Sequence, residues 1–330
     1  MPATSVLLPA RDAEATLAEA LASVLAQTDR DLEVLLVDDG SRDLTRDVAA
    51  RFAEDPRLRI LQGKGKGLVA ALELARGEAR GRYLLRMDAD DVARRERLAL
   101  QRAVLEADAR VACVSSLVAS FPAPALGRRL YDAWLNAHVS HEAMARVRFI
   151  ESPVAHPSVL LRADAVAAVG GYQGEPWPED WDLWLRLFEA GHRFAKVPRV
   201  LLDWRERPDR LSRTDTRYQK DALFPLRARY LRGPLAGRAA ILCGAGKGGA
   251  ALARALAREG VTVRAFVDVA ERRIGGEKAG LPVHGLDALG SLRTDELVIG
   301  VAGGRGARAE LRSALRARGL TEGVDFFLAQ

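Results

Sequence analysis

The chain is 330 residues long, about two domains at roughly 150 residues each. Its 48% hydrophobic and 28% charged residues suit a globular protein with a full core and exclude a disordered or collagen-like chain. The net charge is +6, yet the basic residues are mostly Arg interspersed with Glu and Asp, and the aromatic 6% does not interleave with them; solvated helix faces or a surface for an anionic partner fit this better than nucleic acid.

No apolar run approaches the ~18–20 residues that cross a bilayer. The start, MPATSVLLPARDAEATL, lacks a basic stretch before an apolar one and does not read as a signal peptide. Cys113 and Cys243 both stand in apolar, strand-like runs and read as small buried hydrophobes, compatible with a reducing cytoplasm.

In chain order, Ser5–Leu8 reads as a strand and Ala13–Ala26 as a helix with Leu17, Leu21, Val24 and Leu25 on one face. Val34–Val37 is a second strand ending in Asp38-Asp39-Gly40-Ser41, followed by a helix over Asp43–Phe52. Leu58–Leu61 is a third strand, after which glycines 63, 65 and 67 open a helix through Leu74. Tyr83–Met87 is a fourth, running into Asp88-Ala89-Asp90-Asp91 and a helix over Arg94–Leu105 with Asp91 as its cap. Strands alternating with helices predict a parallel α/β sheet, whose ligands bind beyond the carboxyl ends of the strands, where both acidic clusters fall. Further on come a helix around Tyr131–Val147, the segment HPSVLLR, a GGY turn, and Pro178-Glu179-Asp180-Trp181-Asp182-Leu183-Trp184, with a helix over Trp181–Glu189. Residues 203–237 form an Arg-, Asp- and Pro-rich arm, and a new strand–glycine turn–helix–strand unit starts at Arg238.

Paired carboxylates at strand ends raise each other's pKa unless a cation neutralises them, and hard Mg2+ or Mn2+ takes carboxylate oxygens together with phosphates. Asp88-Ala89-Asp90 is therefore a candidate for holding such an ion, or else a turn and helix cap. The loop Gln62-Gly63-Lys64-Gly65-Lys66-Gly67 is either a phosphate cradle, with Lys66 as a point charge, or a surface turn.

VLLPARDAEATLAEALASVLAQT, EVLLVDDGSRDLT, ARGRYLLRMDADD, AHPSVLLR, GGY and PEDWDLWLRLFEAG occur in this order over residues 3–215. This series resembles the family 2 glycosyltransferases. The resemblance implies a GT-A nucleotide-diphospho-sugar transferase fold and transfer of a hexosyl group, with inversion, from a nucleotide-diphosphate donor (a UDP-sugar favoured) to a glycan or lipid-linked hydroxyl. It implies donor contacts from the Pro9–Ala10 backbone, Asp12, Asp39, Arg86 and Asp88, and Mg2+ or Mn2+ on Asp90 with Asp88. Asp180 is then the general base, with Glu179 second. His156 and Trp181 are candidates to face the acceptor. Arg205 and Arg210, with Arg207, Ser212 and Arg213, would form a lid over the diphosphate or a solvated linker. One departure stands out: Glu73 occupies the place of the Asn in the motif A-L-N-x-G.

In the last unit, Gly244-x-Gly246-x-x-Gly249 follows strand Ala239–Leu242, and Asp268 ends the next strand, the spacing of a dinucleotide fingerprint. The unit resembles the N-terminal domain of bacterial sugar O-acyltransferases, which implies a nucleotide-binding relic or a structural, oligomerising or regulatory role. The expected organisation is a GT-A domain over 1–215, a helical linker over 216–237 and a smaller Rossmann-like α/β domain over 238–330. The expected setting is cytoplasmic, with any membrane contact peripheral and through the Arg-rich arm. Two rival readings are a catalytically silent sugar-nucleotide-binding or regulatory protein and an NAD(P)-dependent oxidoreductase acting through the last unit.

Overall fold

The computed structural model describes residues 1–174, 176–207, 210 and 214–330. The chain divides into two compact units, Met1–Met144 with Pro153–Thr214, and Ala145–Ser152 with Asp215–Gln330.

In the first unit, β1 (Thr4–Ala10), α1 (Leu17–Leu25), β2 (Leu32–Asp38), α2 (Thr45–Ala50), β3 (Leu58–Gln62), α3 (Leu68–Glu78) and β4 (Tyr83–Arg86) alternate as expected. β2 and β4 flank β1, β3 lies outside β2, and all these pairs are parallel. β1 and β2 are buried along their whole length, because side chains alternate between two covered faces. Val6, Leu8, Val34 and Leu36 pack with α1 on one face. Leu7, Leu35 and Val37 pack with Ala71, Leu72 and Ala75 of α3 on the other.

Beyond β4 the sheet becomes mixed. β5 (Val92–Ala93) and α4 (Arg97–Ala107) precede the long β6 (Val111–Phe121). β7 (Leu160–Arg162) is antiparallel to both β4 and β6, and β8 (Arg193–Arg205) runs parallel to β6. β5 pairs with the end of β8 through Val92 and Asp203, which carries the acidic turn to the sheet's last edge.

The helix expected around Tyr131–Val147 is two helices, α5 (Leu126–Asn136) and α6 (His141–Val147). Asn136 is held by the backbone of Val118 through both its oxygen and its nitrogen, and the Ser140 hydroxyl accepts the Ala143 N–H at 3.1 Å, an N-cap that restarts the helix. α7 (Ala163–Ala168) leads to the glycine turn, and α8 (Glu179–Glu189) starts two residues before the expected Trp181. Pro178 precedes it, and Glu179, Asp180 and Asp182 meet the positive end of its dipole.

The second unit holds a six-stranded sheet around β9 (Ala240–Cys243). β10 (Val263–Asp268) and β13 (Leu297–Gly300) lie parallel on either side of it. β12 (Leu281–Gly285) pairs with β10, β14 (Phe326–Leu328) pairs with β13, and the short β11 (Glu277–Lys278) is antiparallel to β12. The stretch 216–237, expected as a linker, falls inside this unit and contains α9 (Leu223–Leu235). So does 145–152: Phe149 meets Phe327 edge-on at 5.4 Å, and the buried Arg227 donates to the carbonyls of Phe149 at 2.9 Å and Ile150 at 3.0 Å. α10 (Lys247–Arg258), α11 (Leu289–Leu292) and α12 (Arg305–Arg316) complete the unit.

Candidate active site

The sharp turn between β4 and β5 brings Asp88, Asp90 and Asp91 together, with one carboxylate oxygen from each within 4.8 Å of the others. Asp91 does not cap α4, which starts six residues later; it is 1% exposed and belongs to the cluster. One of its oxygens accepts the Arg205 N–H at 2.8 Å, and the other has no hydrogen-bond partner. Burial, then the charges of Asp88 and Asp90, push Asp91 well above the usual carboxylate range. Burial and Asp88 push Asp90 up to about 6, against Arg210 and Arg207. Asp88 goes the other way: burial opposes its charge, but Arg86, 2.6 Å away, holds it below the ordinary value. A buried carboxylate oxygen without a donor, beside two more carboxylates, is the environment a hard divalent cation completes, and the residues present fit such an ion.

Arg86 is 2% exposed at the end of β4. His156 lies in the same buried group. Its Nε2 is 3.2 Å from the Tyr172 hydroxyl and its Nδ1 is 3.5 Å from Glu179 Oε1. Both ring nitrogens are thus engaged within the protein, as in a hydrogen-bonded core histidine. Trp181 is 2% exposed and packed in the interior, the core alternative for this residue. Asp180 is half-buried in the first turn of α8, where its carboxylate accepts the Trp181 N–H at 2.7 Å. Glu179, beside it, is buried.

On the other side of β1, the Asp39 N–H donates to the Ala10 carbonyl at 2.8 Å, which ties the expected Pro9–Ala10 and Asp39 positions together. The Asp39 carboxylate accepts the N–H of Lys66 at 3.2 Å and of Gly67 at 2.7 Å. These two amides of the glycine loop therefore hold a carboxylate of the chain itself. Gly63 makes the approach possible, since a Cβ there would sit 2.8 Å from the Asp39 carboxylate and 2.9 Å from its Cα. Asp12, at a positive φ of 49°, accepts the Arg42 N–H at 2.8 Å and gives its own N–H to Ser41.

Arg205 is committed to the acidic turn. Its Nε donates to the Asp90 carbonyl at 2.6 Å, its guanidinium pairs with Glu19, and it lies 4.4 Å from the Phe121 ring centroid. Arg210 stacks 4.3 Å over Trp204 and pairs with Glu206 at 3.6 Å. The expected lid thus begins with one arginine buttressing the cluster and another folded on a tryptophan, while Ser212 and Arg213 lie outside the described residues. Glu73 faces neither: it binds Arg76 and accepts the Tyr172 N–H at 2.7 Å.

In the second unit Gly244, Gly246 and Gly249 form the expected turn, packed so closely that a Cβ on Gly249 would lie 1.9 Å from the Gly244 carbonyl. Asp268 gives its carboxylate to the Ala245 N–H at 2.7 Å, the Ala270 N–H at 2.8 Å and Arg273 at 2.9 Å. Both its oxygens are thus engaged by neighbours within the unit.

Comparison with known proteins identifies the family and the fold. Residues 5–170 match the family model described as Glycosyl transferase family 2. The putative glycosyltransferase EpsE of Bacillus subtilis (strain 168) is 30% identical over 227 residues, 67% of this chain and 79% of EpsE. TarS 1-349 of S. aureus in complex with UDP-GlcNAc is similar with a TM-score of 0.57 at 17% identity, over 78% of this chain and 72% of that one; against the same fragment without ligand the coverage is 70% and 66%. The mannosyltransferase PcManGT from Pyrobaculum calidifontis, in complex with GDP-Man and Mn2+, is similar with a TM-score of 0.51 at 18% identity, over 97% and 81% of the two chains. The structural likenesses show a shared GT-A fold. With half its length matched by the family model, and with EpsE as a relative, the chain belongs to glycosyl transferase family 2.

Proposed function

We propose that the first unit moves one hexosyl group from a nucleotide-diphosphate donor to a glycan or lipid-linked hydroxyl, with inversion at the anomeric carbon. The observation that carries this reading is the Asp88–Asp90–Asp91 cluster with its unpartnered buried oxygen on Asp91. Nucleotide-sugar complexes of TarS and PcManGT, the latter with Mn2+, support it. In this reading Asp90 and Asp91, with Asp88, would hold Mg2+ or Mn2+, which supplies charge neutralisation for the departing diphosphate. Asp39, with the Pro9–Ala10 backbone, faces the nucleoside. Asp180, the more exposed acid at the head of α8, takes the proton of the attacking hydroxyl, and Glu179 is held back in the interior by His156. Arg86 fixes Asp88, and Arg205 fixes the turn. The engaged carboxylate of Asp268 favours a structural or oligomerising second unit over an oxidoreductase; it weighs in the same way on the nucleotide-binding role implied by the acyltransferase resemblance. Among the described residues no helix is long and apolar enough to cross a membrane, so contact with a lipid-linked acceptor would be peripheral.

A thermal-shift panel of nucleoside diphosphates and sugar nucleotides, with and without Mn2+, on wild type and Asp90→Ala tests this. A ligand at 100 times its dissociation constant adds about 2.7 kcal/mol. One nucleotide should stabilise wild type only with Mn2+, and Asp90→Ala should lose the effect. If no nucleotide diphosphate shifts the midpoint but NAD does, the reading fails.

A further inference from the structure

Behind the acidic turn, one line of contacts joins α3 to the head of α8. Gly171, at φ +68°, turns the chain after α7 into Tyr172, and a Cβ there would lie 2.7 Å from Glu73 Oε1 and 2.9 Å from Arg76 Nε. The missing side chain leaves room for that ion pair. Glu73 grips Arg76 through contacts of 2.7–3.0 Å, and both side chains are less than a third exposed, at 29% and 27%. The same carboxylate accepts the N–H of Tyr172, 99 positions away in sequence, at 2.7 Å. Tyr172 is buried, with its ring 5.4 Å from that of His156 and its hydroxyl 3.2 Å from Nε2. Nδ1 of the same imidazole is 3.5 Å from Glu179, the first residue of α8 and the neighbour of Asp180.

The protons in this line follow from the chemistry. Burial and the nearby Arg86 push the His156 pKa down, so the imidazole is neutral, with one donor and one acceptor nitrogen. With Glu179 ionised its carboxylate only accepts, which puts the proton on Nδ1 and leaves Nε2 to receive the Tyr172 O–H. Each partner has one role, and the backbone position of Tyr172, set by Glu73, decides where the line ends.

We propose that Glu73, held by Arg76, is a positioning residue for sugar transfer: it fixes Tyr172, which through His156 and Glu179 sets the first turn of α8 that bears Asp180. Its catalytic consequence rests on the transferase reading above. Glu73 touches neither Asp39 nor the acidic cluster in any contact described above, so its loss should disturb alignment for the chemical step more than donor binding.

The test uses the full chain and the variants Glu73→Ala, Glu73→Gln and Arg76→Met. One readout is 15N NMR of the histidine ring nitrogens, with His156 assigned among the five histidines by its own substitution. The other is steady-state release of nucleoside diphosphate, with Mn2+, from the donor that the thermal-shift panel identifies, the hexosyl group passing to water. Glu73→Ala should shift both His156 nitrogens and lower kcat at least tenfold, with donor KM within about twofold. Glu73→Gln, which keeps an oxygen for the Tyr172 N–H, should restore most of both. Unchanged His156 signals in Glu73→Ala, or a loss confined to KM, overturn the proposal. If Glu73→Ala does not fold, Arg76→Met replaces it, with the same two outcomes. If no sugar nucleotide stabilises wild type and none releases its nucleoside diphosphate to water or to an added glycan acceptor, the transferase reading fails and the catalytic part of the proposal falls with it; the His156 signals still decide the positional part.

Discussion

Asp91 is electrostatically costly in the acidic turn, being buried, repelled by Asp88 and Asp90, and satisfied on one oxygen only. Asp90 and Asp91 both have pKa values raised by the fold, Asp90 to about 6. Without a cation, the folded protein therefore binds protons that the unfolded chain has already released. The stability these groups contribute is complete below about pH 4 and is lost as pH rises through the folded values. A divalent cation reverses the trend by favouring the deprotonated carboxylates. In chelator at neutral pH, Asp91→Asn, which keeps an oxygen for the Arg205 N–H, should melt above wild type and show a flatter midpoint-against-pH curve. It should also lose most of the midpoint gain that Mn2+ gives wild type. A variant that melts lower in chelator and keeps its Mn2+ gain would show that Asp91 is a plain structural acid. The sequence carried a signal for this residue in the run Asp88-Ala89-Asp90-Asp91. What it did not show was where α4 begins, and only that boundary separates a third carboxylate from a helix cap.

At the scale of elements, the proposed donor side is made by loops that fasten one another. Asp38 holds Ser41 and Arg46, Asp39 holds Lys66 and Gly67, and the Gly63 N–H donates to the Asp38 carbonyl. Parallel pairing of β2 with β3, with Asp38 opposite Gln62, brings the glycine loop against the double aspartate. Gly63→Ala should cost about 1–3 kcal/mol, the usual range for forcing atoms into a packed site. It should also weaken nucleotide binding, because the intruding Cβ would displace Asp39 itself. Equal urea midpoints and equal nucleotide affinity for the variant and wild type would refute that account. The strands and helices flanking these loops were legible from apolar periodicity. The partner of the loop amides was not, since glycine spacing reads the same whether the guest is a phosphate or a carboxylate of the chain.

For the whole molecule, chain order and packing part company at 145–152. This segment lies inside the family-matched region, yet it packs within the second unit, on Phe327 and under Arg227. Ending the chain at 214 would strip Val147, Phe149 and Ile150, all buried, of their surroundings. A 1–214 fragment should therefore aggregate or bind a hydrophobic dye strongly, whereas the full chain should not. A soluble, dye-silent fragment with the nucleotide-induced thermal shift of the full chain would falsify this.

The sequence by itself determined the alternating sheet of the first unit, the two acidic clusters at its strand ends, the family, and the glycine turn of the second unit. Each of these is written in local periodicity or in short motifs whose physics acts over a few residues. Tertiary structure alone decided that Asp91 joins Asp88 and Asp90, that Arg205 buttresses their turn, that Trp181 is interior, that Glu73 reaches Tyr172, and that 145–152 belongs with the second unit. These outcomes depend on register between strands and on side chains meeting across long stretches of chain, where the free energy of burial and pairing is settled by neighbours that sequence order does not name.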